Sequence, residues 1–174
     1  MNPIEKLTEL EACLDAIYWA KSKTWNEIID QCHRGDWLLW LAQKVKLDLR
    51  TLTLAKARCA KTVIHLMKDE RSINAVNVAE SFGLGNATKE DLDAATAAAY
   101  TAAYTAATAA ADAANTATNT AAAYAYAADA YAYVYAYAAD TARKSNQLLT
   151  ANICRETFGD KLKNILNNNH NESN

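Results

Sequence analysis

The residue types that could ligate a soft metal or supply a nucleophile are few in this chain, and their spacing works against both. Zinc needs ligands converging at tetrahedral geometry. Cys32 and His33 are adjacent. Cys59 and His65 would share one helix but point about 120° apart at 100° per residue. The four cysteines, Cys13, Cys32, Cys59 and Cys154, are scattered with no C-x-x-C step, so they read as reduced thiols of a cytoplasmic protein. No Ser-His-Asp or Cys-His spacing suggests an activated nucleophile. Glu27, Asp30 and Asp36 could pair as acid and base, but each has a helix-capping or surface role open to it. No metal, no cofactor and no catalytic residue is expected, and the protein reads as a non-enzyme.

Binding chemistry has better candidates. Arg50, Arg58, Lys61, His65 and Lys68 fall on one face of a helix expected over Leu49–Lys68. Such a basic stripe suits an anionic ligand, for example a signalling nucleotide, or an acidic partner; a solvated face is the plainer reading. Trp25, Trp37 and Trp40 supply large aromatic area, and a partner-binding groove and a core are both open to them. Arg34-Gly35-Asp36 spells an adhesion tripeptide but reads more simply as a turn glycine and a helix cap before Trp37. A net charge of −2 and a pI near 5.9 lack the basic footprint of nucleic-acid binding.

The elements that must position these residues are helical. The chain has 174 residues, one proline and four glycines, too few turn formers for a many-turned β fold. Helical spacing is expected over 3–21, from Thr24 to about Cys32 with a Thr24–Glu27 capping box, over Trp37–Lys46 after an Asp36 cap, from an Asp48 cap to Lys68, and over 71–82. Gly83 and Gly85 are expected as left-handed turn residues.

Residues 94–139 dominate the chain. This tract is more than half alanine and carries eight of the nine tyrosines. Alanine is the strongest helix former. A single helix from Lys89 to Leu149 would span about 90 Å, against a radius of gyration of about 16 Å for a domain of this size. A break is therefore expected in Asn115–Thr120, giving two long Ala-rich helices, about 89–116 opened by a Thr88 cap and about 120–150, packed antiparallel. The first bears a Thr/Asn/Asp stripe. The second bears two tyrosine stripes, Tyr124/Tyr131/Tyr135 and Tyr126/Tyr133/Tyr137, which leave room for a homo-oligomer. The alternating Tyr131–Tyr137 run also fits a strand by period, against alanine's poor strand propensity. A last amphipathic segment follows, interrupted at Gly159. The threonines lack the regular spacing of an ice-binding helix, and Asp129 within the apolar stretch argues against a membrane span. The expected fold is an all-α single-domain helical bundle over 1–166, without a sheet, followed by a disordered Asn-rich tail, 167–174.

The run Trp25-x-Glu27…Cys32-His-Arg-Gly-Asp-Trp-Leu-Leu-Trp-Leu41 resembles the alanine-rich immunity-protein-like family of bacteriophages and gut bacteria. The order continues through Ala57-Arg-Cys-Ala60, Ile73-x-Ala75-x-x-x-Ala79-Glu80, Thr88-x-x-Asp91-Leu92 and Leu149–Arg155. The likeness covers about 24–158, and its most specific block is Arg34–Trp40. It departs in the tract, where Thr and Tyr replace Arg or His, and at Glu70-Arg71-Ser72, which replaces an Arg-Pro-Arg. The resemblance implies an all-helical fold and a role in phage or inter-bacterial conflict, without a catalytic residue set. The expected function is stoichiometric capture of a protein partner, a toxin or a host defence component. The alternative is sequestration of a small anionic ligand by the basic stripe.

Overall fold

Side-chain caps set most of the helix starts. The computed structural model of the chain describes residues 2–67, 69–101 and 128–168, with side chains in the last stretch from residue 142 onward. Helix α1 (Pro3–Glu9) opens on Asn2, whose Oδ1 accepts from the Ile4 N–H at 3.0 Å. After α2 (Leu14–Ala20), α3 (Trp25–Gln31) opens on the expected box. Thr24 Oγ1 accepts from the Glu27 N–H, and the Glu27 carboxylate accepts from the Thr24 N–H at 2.7 Å. Next come α4 (Gly35–Lys44), α5 (Leu49–Lys61) capped by Asp48, a 3-10 turn (Ile64–Leu66) and α6 (Glu70–Gly83) capped by Asp69. A helix here termed α7 runs over 89–101 from the expected Thr88 cap, with Thr88 and Asp91 bonded reciprocally. Helix α8 spans Ala128–Asn168. All described elements are helical, so the chain is an all-α single-domain bundle with no strand among the described residues.

The C-terminal part of α8, from Ala151 onward, is the spine. Ala151, Cys154, Phe158, Leu162 and Leu166 recur every three or four residues and are buried against α3, α4 and α5. Opposite them lie Ile28 and Ile29 of α3, Leu38 and Leu41 of α4, and Leu52 and Ala55 of α5. Burying a side chain the size of Phe158 stabilises by about 1.5–3 kcal/mol. Helix α6 packs on the outer side of α5.

Two glycines permit close helix approaches. A Cβ at Gly35 would stand 2.6 Å from the Thr150 carbonyl carbon of α8. One at Gly83 would stand 2.8 Å from Leu54 Cα of α5. Neither glycine is a break: both are helical, and of the two in the 83–85 turn only Gly85, at φ +86°, is left-handed. Helix α4 thus begins two residues before the expected Trp37, and Asp36 lies inside its first turn rather than capping it. Arg34 occupies the cap position without a side-chain cap bond.

Other boundaries differ from expectation. The helix expected over 3–21 is two, because Glu11 takes a left-handed φ of 64°. There the Ala12 N–H reaches Leu7 O at 2.9 Å and the Glu11 N–H reaches Thr8 O at 3.0 Å, closing α1 as a Schellman motif. Lys46, at φ 58°, closes α4 the same way, with Leu47 donating to Ala42 O at 2.9 Å. Helix α5 stops at Lys61 rather than Lys68. Helix α8 neither ends near 150 nor breaks at Gly159; it runs on through Asn168, two residues into the Asn-rich stretch, and Asn167 donates to Asn26 Oδ1 at 3.0 Å. The Tyr131–Tyr137 run is helix rather than strand. The expected break at 115–120, the antiparallel pairing of the tract helices, the tyrosine stripes and residues 169–174 lie outside the described residues or side chains.

Candidate functional site

Helix α4 turns Leu38 and Leu41 inward, at 1% and 3% exposure. Trp37 and Trp40, three residues apart, are thereby left half-buried on its flank facing α2. Trp19 of α2 meets Trp37 there, ring centroids 6.1 Å apart. His33, in the turn before α4, closes a triangle of rings, 5.9 Å from Trp19 and 6.0 Å from Trp37. Beside this cluster is a cleft of about 390 Å³ lined by Glu11, Ala12, Cys13, Asp36, Trp37 and Trp40, among others. The left-handed turn at Glu11 delivers the α1–α2 wall of that cleft.

Cations are arranged over the tryptophans. The Arg34 guanidinium lies 4.7 Å from the Trp37 ring centre, Lys23 Nζ 4.8 Å from Trp19 and Lys44 Nζ 5.7 Å from Trp40. Each such contact contributes about 0.5–1 kcal/mol at an exposed site. Arg34 also grips Asp36 through Nε–Oδ1 at 2.8 Å and Nη2–Oδ2 at 2.5 Å. That fork holds the Asp36 carboxyl below its ordinary range and raises Arg34. Lys44 stands 3.7 Å from Glu11 across the cleft mouth. The result is an aromatic face with large rings at its centre and a rim of charges of both signs.

Of the three tryptophans singled out from the sequence, Trp37 and Trp40 lie on this face. Trp25 does not: at 3% exposure it is part of the core beside Ile28 and Ile29. Trp19 and His33 were missed. A signal for Trp19 exists in the repeated spacing of ring and cation, Trp19–Lys23 and Trp40–Lys44 at four residues and Arg34–Trp37 at three, which brings each cation within reach of its ring; no such spacing marks His33.

The described members of the basic stripe do not converge on one point. Arg50 Nη1 donates to Phe82 O at 2.5 Å, with its guanidinium 4.4 Å from the Phe82 ring centre. Lys61 is ion-paired with Glu80 of α6. Arg58 Nη1 donates to Thr157 Oγ1 of α8 at 3.3 Å. These three cations fasten α5 to its neighbours on two sides. His65 is exposed on the 3-10 turn, and Lys68 lies outside the described residues.

Among the described residues no group of three or more His, Cys, Asp or Glu is placed to hold a metal ion, and no described helix is long and apolar enough to cross a membrane. Compared with known proteins, the chain matches no family model, no curated protein and no solved structure.

Proposed function

We propose that this chain is a non-enzymatic binding protein of phage or bacterial conflict, of immunity or anti-defence type, that captures a partner protein stoichiometrically through the Trp19–Trp37–Trp40 face. The carrying observation is the cleft beside three clustered aromatic rings, with Trp37 and Trp40 held half-exposed by the inward turn of Leu38 and Leu41. Aromatic anchors with a charged rim are where interface energy concentrates. The partner, a toxin or a host defence component, would be met in the cytoplasm. The resemblance to the immunity-protein-like family supports the same reading, since its most specific block, Arg34–Trp40, supplies this face. Within the proposal, α7 continues to about 116 and a second Ala-rich helix from about 120 leads into α8, their tyrosine sides free to meet a second copy. Sequestration of an anionic ligand has no comparable support, because Arg50, Arg58 and Lys61 already have partners within the fold.

The test is a native mass measurement on the untagged chain after incubation in bacterial lysate. A one-to-one protein complex that is lost when Trp37 and Trp40 are both replaced by Ala is expected. A bound small molecule instead of a protein, or a complex indifferent to both substitutions, overturns the reading.

A further inference from the structure

We propose that Cys59 and Cys154 form an oxidation site, a dithiol that peroxide closes into a disulfide between α5 and α8. The two sulfurs lie 4.0 Å apart although the residues are 95 positions apart in the chain. Both are free thiols. A disulfide needs about 2.05 Å between sulfurs, so closure asks for a shift of about 2 Å shared by two side chains. Nothing strong opposes that shift. Cys59 Sγ contacts Thr150 O at 3.8 Å and Cys154 Sγ contacts Gly35 O at 3.7 Å, both weak sulfur hydrogen bonds. The backbones already adjoin, since α5 packs on α8 through Leu52, Ala55, Ala151 and Phe158.

The two thiols are not equivalent, which gives the reaction an order. Cys59 is partly exposed, whereas Cys154 is fully buried. The weak S–H···S contact between them holds the Cys59 pKa down and, with burial, pushes Cys154 up. Cys59 is therefore the thiolate that meets the oxidant and Cys154 the resolving thiol. Cys59 sulfur attacks one oxygen of hydrogen peroxide; the O–O bond breaks, a Cys59 sulfenic acid forms and the other oxygen leaves as water after taking a proton. Cys154 sulfur then attacks Cys59 sulfur, the S–O bond breaks and a second water leaves with the Cys154 proton. Two thiols are oxidised by two electrons, and one peroxide is reduced to two waters. Cys32, at 2% exposure with its Sγ donating to Arg34 O at 3.4 Å, is the other buried thiol of this region, so a Cys32–Cys154 link in place of Cys59–Cys154 would also overturn the proposal.

The product ties α5 to α8 across a long loop, and a cross-link of that kind restricts the unfolded chain most. Oxidation would thus lock the spine helix in place. The test is peptide mapping of the whole chain after treatment with hydrogen peroxide, without reductant. Expected is a Cys59–Cys154 linked peptide, with the chain about 2 Da lighter for the two hydrogens lost. Also expected is an upward shift of the thermal midpoint that dithiothreitol reverses and that Cys59→Ser abolishes. Recovery of Cys59 as sulfinic acid, or of Cys59 and Cys154 as unmodified thiols while Cys13 is oxidised, overturns the proposal. The mapping is done on the wild-type chain, so it does not depend on how well a cysteine variant folds.

Discussion

Glycine clearance is where single atoms decide the packing. At Gly35 and Gly83 an added Cβ would meet backbone atoms of Thr150 and Leu54, at 2.6 Å and 2.8 Å, and backbone cannot swing aside. Gly35→Ala and Gly83→Ala are each expected to lower the unfolding free energy by about 1–3 kcal/mol, as overpacking does. Gly159 is the opposite case. Its nearest neighbours to a Cβ, Arg155 Cβ and Ile29 Cγ2, stand at 3.8 Å, an ordinary contact. Gly159→Ala is expected to stabilise by about 0.5–1 kcal/mol, because the helix interior loses backbone entropy at glycine. Urea unfolding of the three variants measures both signs. These roles were not legible in the sequence, where Gly35, Gly83 and Gly159 look alike as helix interruptions. What separates them is how near another helix passes, a tertiary fact.

Helix boundaries follow a similar division. The caps at Thr24, Asp48 and Thr88 could be read from the chain because the side chain bonds the backbone three residues on, a purely local event. The ends of α1 and α4 could not, because Glu11 and Lys46 adopt the left-handed conformation usually given to glycine. What holds them there is the next residue, Ala12 or Leu47, packed onto the core. The capping carboxylates also give an acid dependence with a definite sign. Asp48, Asp69 and Asp91 all have folded pKa values below the ordinary 3.8, Asp69 at about 2, chiefly from hydrogen bonds to Thr51, Arg71 and Thr88 respectively. Their contribution is fully present above 3.8 and is lost as pH falls through the folded values. The urea midpoint is expected to hold steady from neutrality down to about pH 5 and to drop between about pH 4 and pH 2. Asp48→Asn should keep its cap bond and flatten part of that fall, since an amide oxygen accepts the same N–H without titrating.

On the scale of the molecule, α8 is a late segment that completes a core begun by α3, α4 and α5. Phe158, at 2% exposure, lies at the centre of that seam, and Phe158→Ala is expected to cost about 3–5 kcal/mol in urea unfolding. The all-helical class was legible from the shortage of turn formers and the alanine run. The continuity of α8 past Gly159 was not, because composition changes there while the buried face does not. The aromatic face was half legible. Trp37 and Trp40 announced themselves by type and spacing, but nothing local distinguishes them from Trp25, which the α8 spine helps to bury. The basic stripe was legible as a stripe but not as a set of braces, since Phe82, Glu80 and Thr157, the groups that engage it, come from elsewhere in the chain. The central claim is that recognition resides in the aromatic face and that the cations of α5 are structural. One comparison tests it: partner recovery by a Trp37→Ala/Trp40→Ala chain against an Arg50→Gln/Lys61→Gln chain, each checked for helix content by circular dichroism. The account predicts that the first loses the partner and the second keeps it. A partner kept by the first and lost by the second would contradict it.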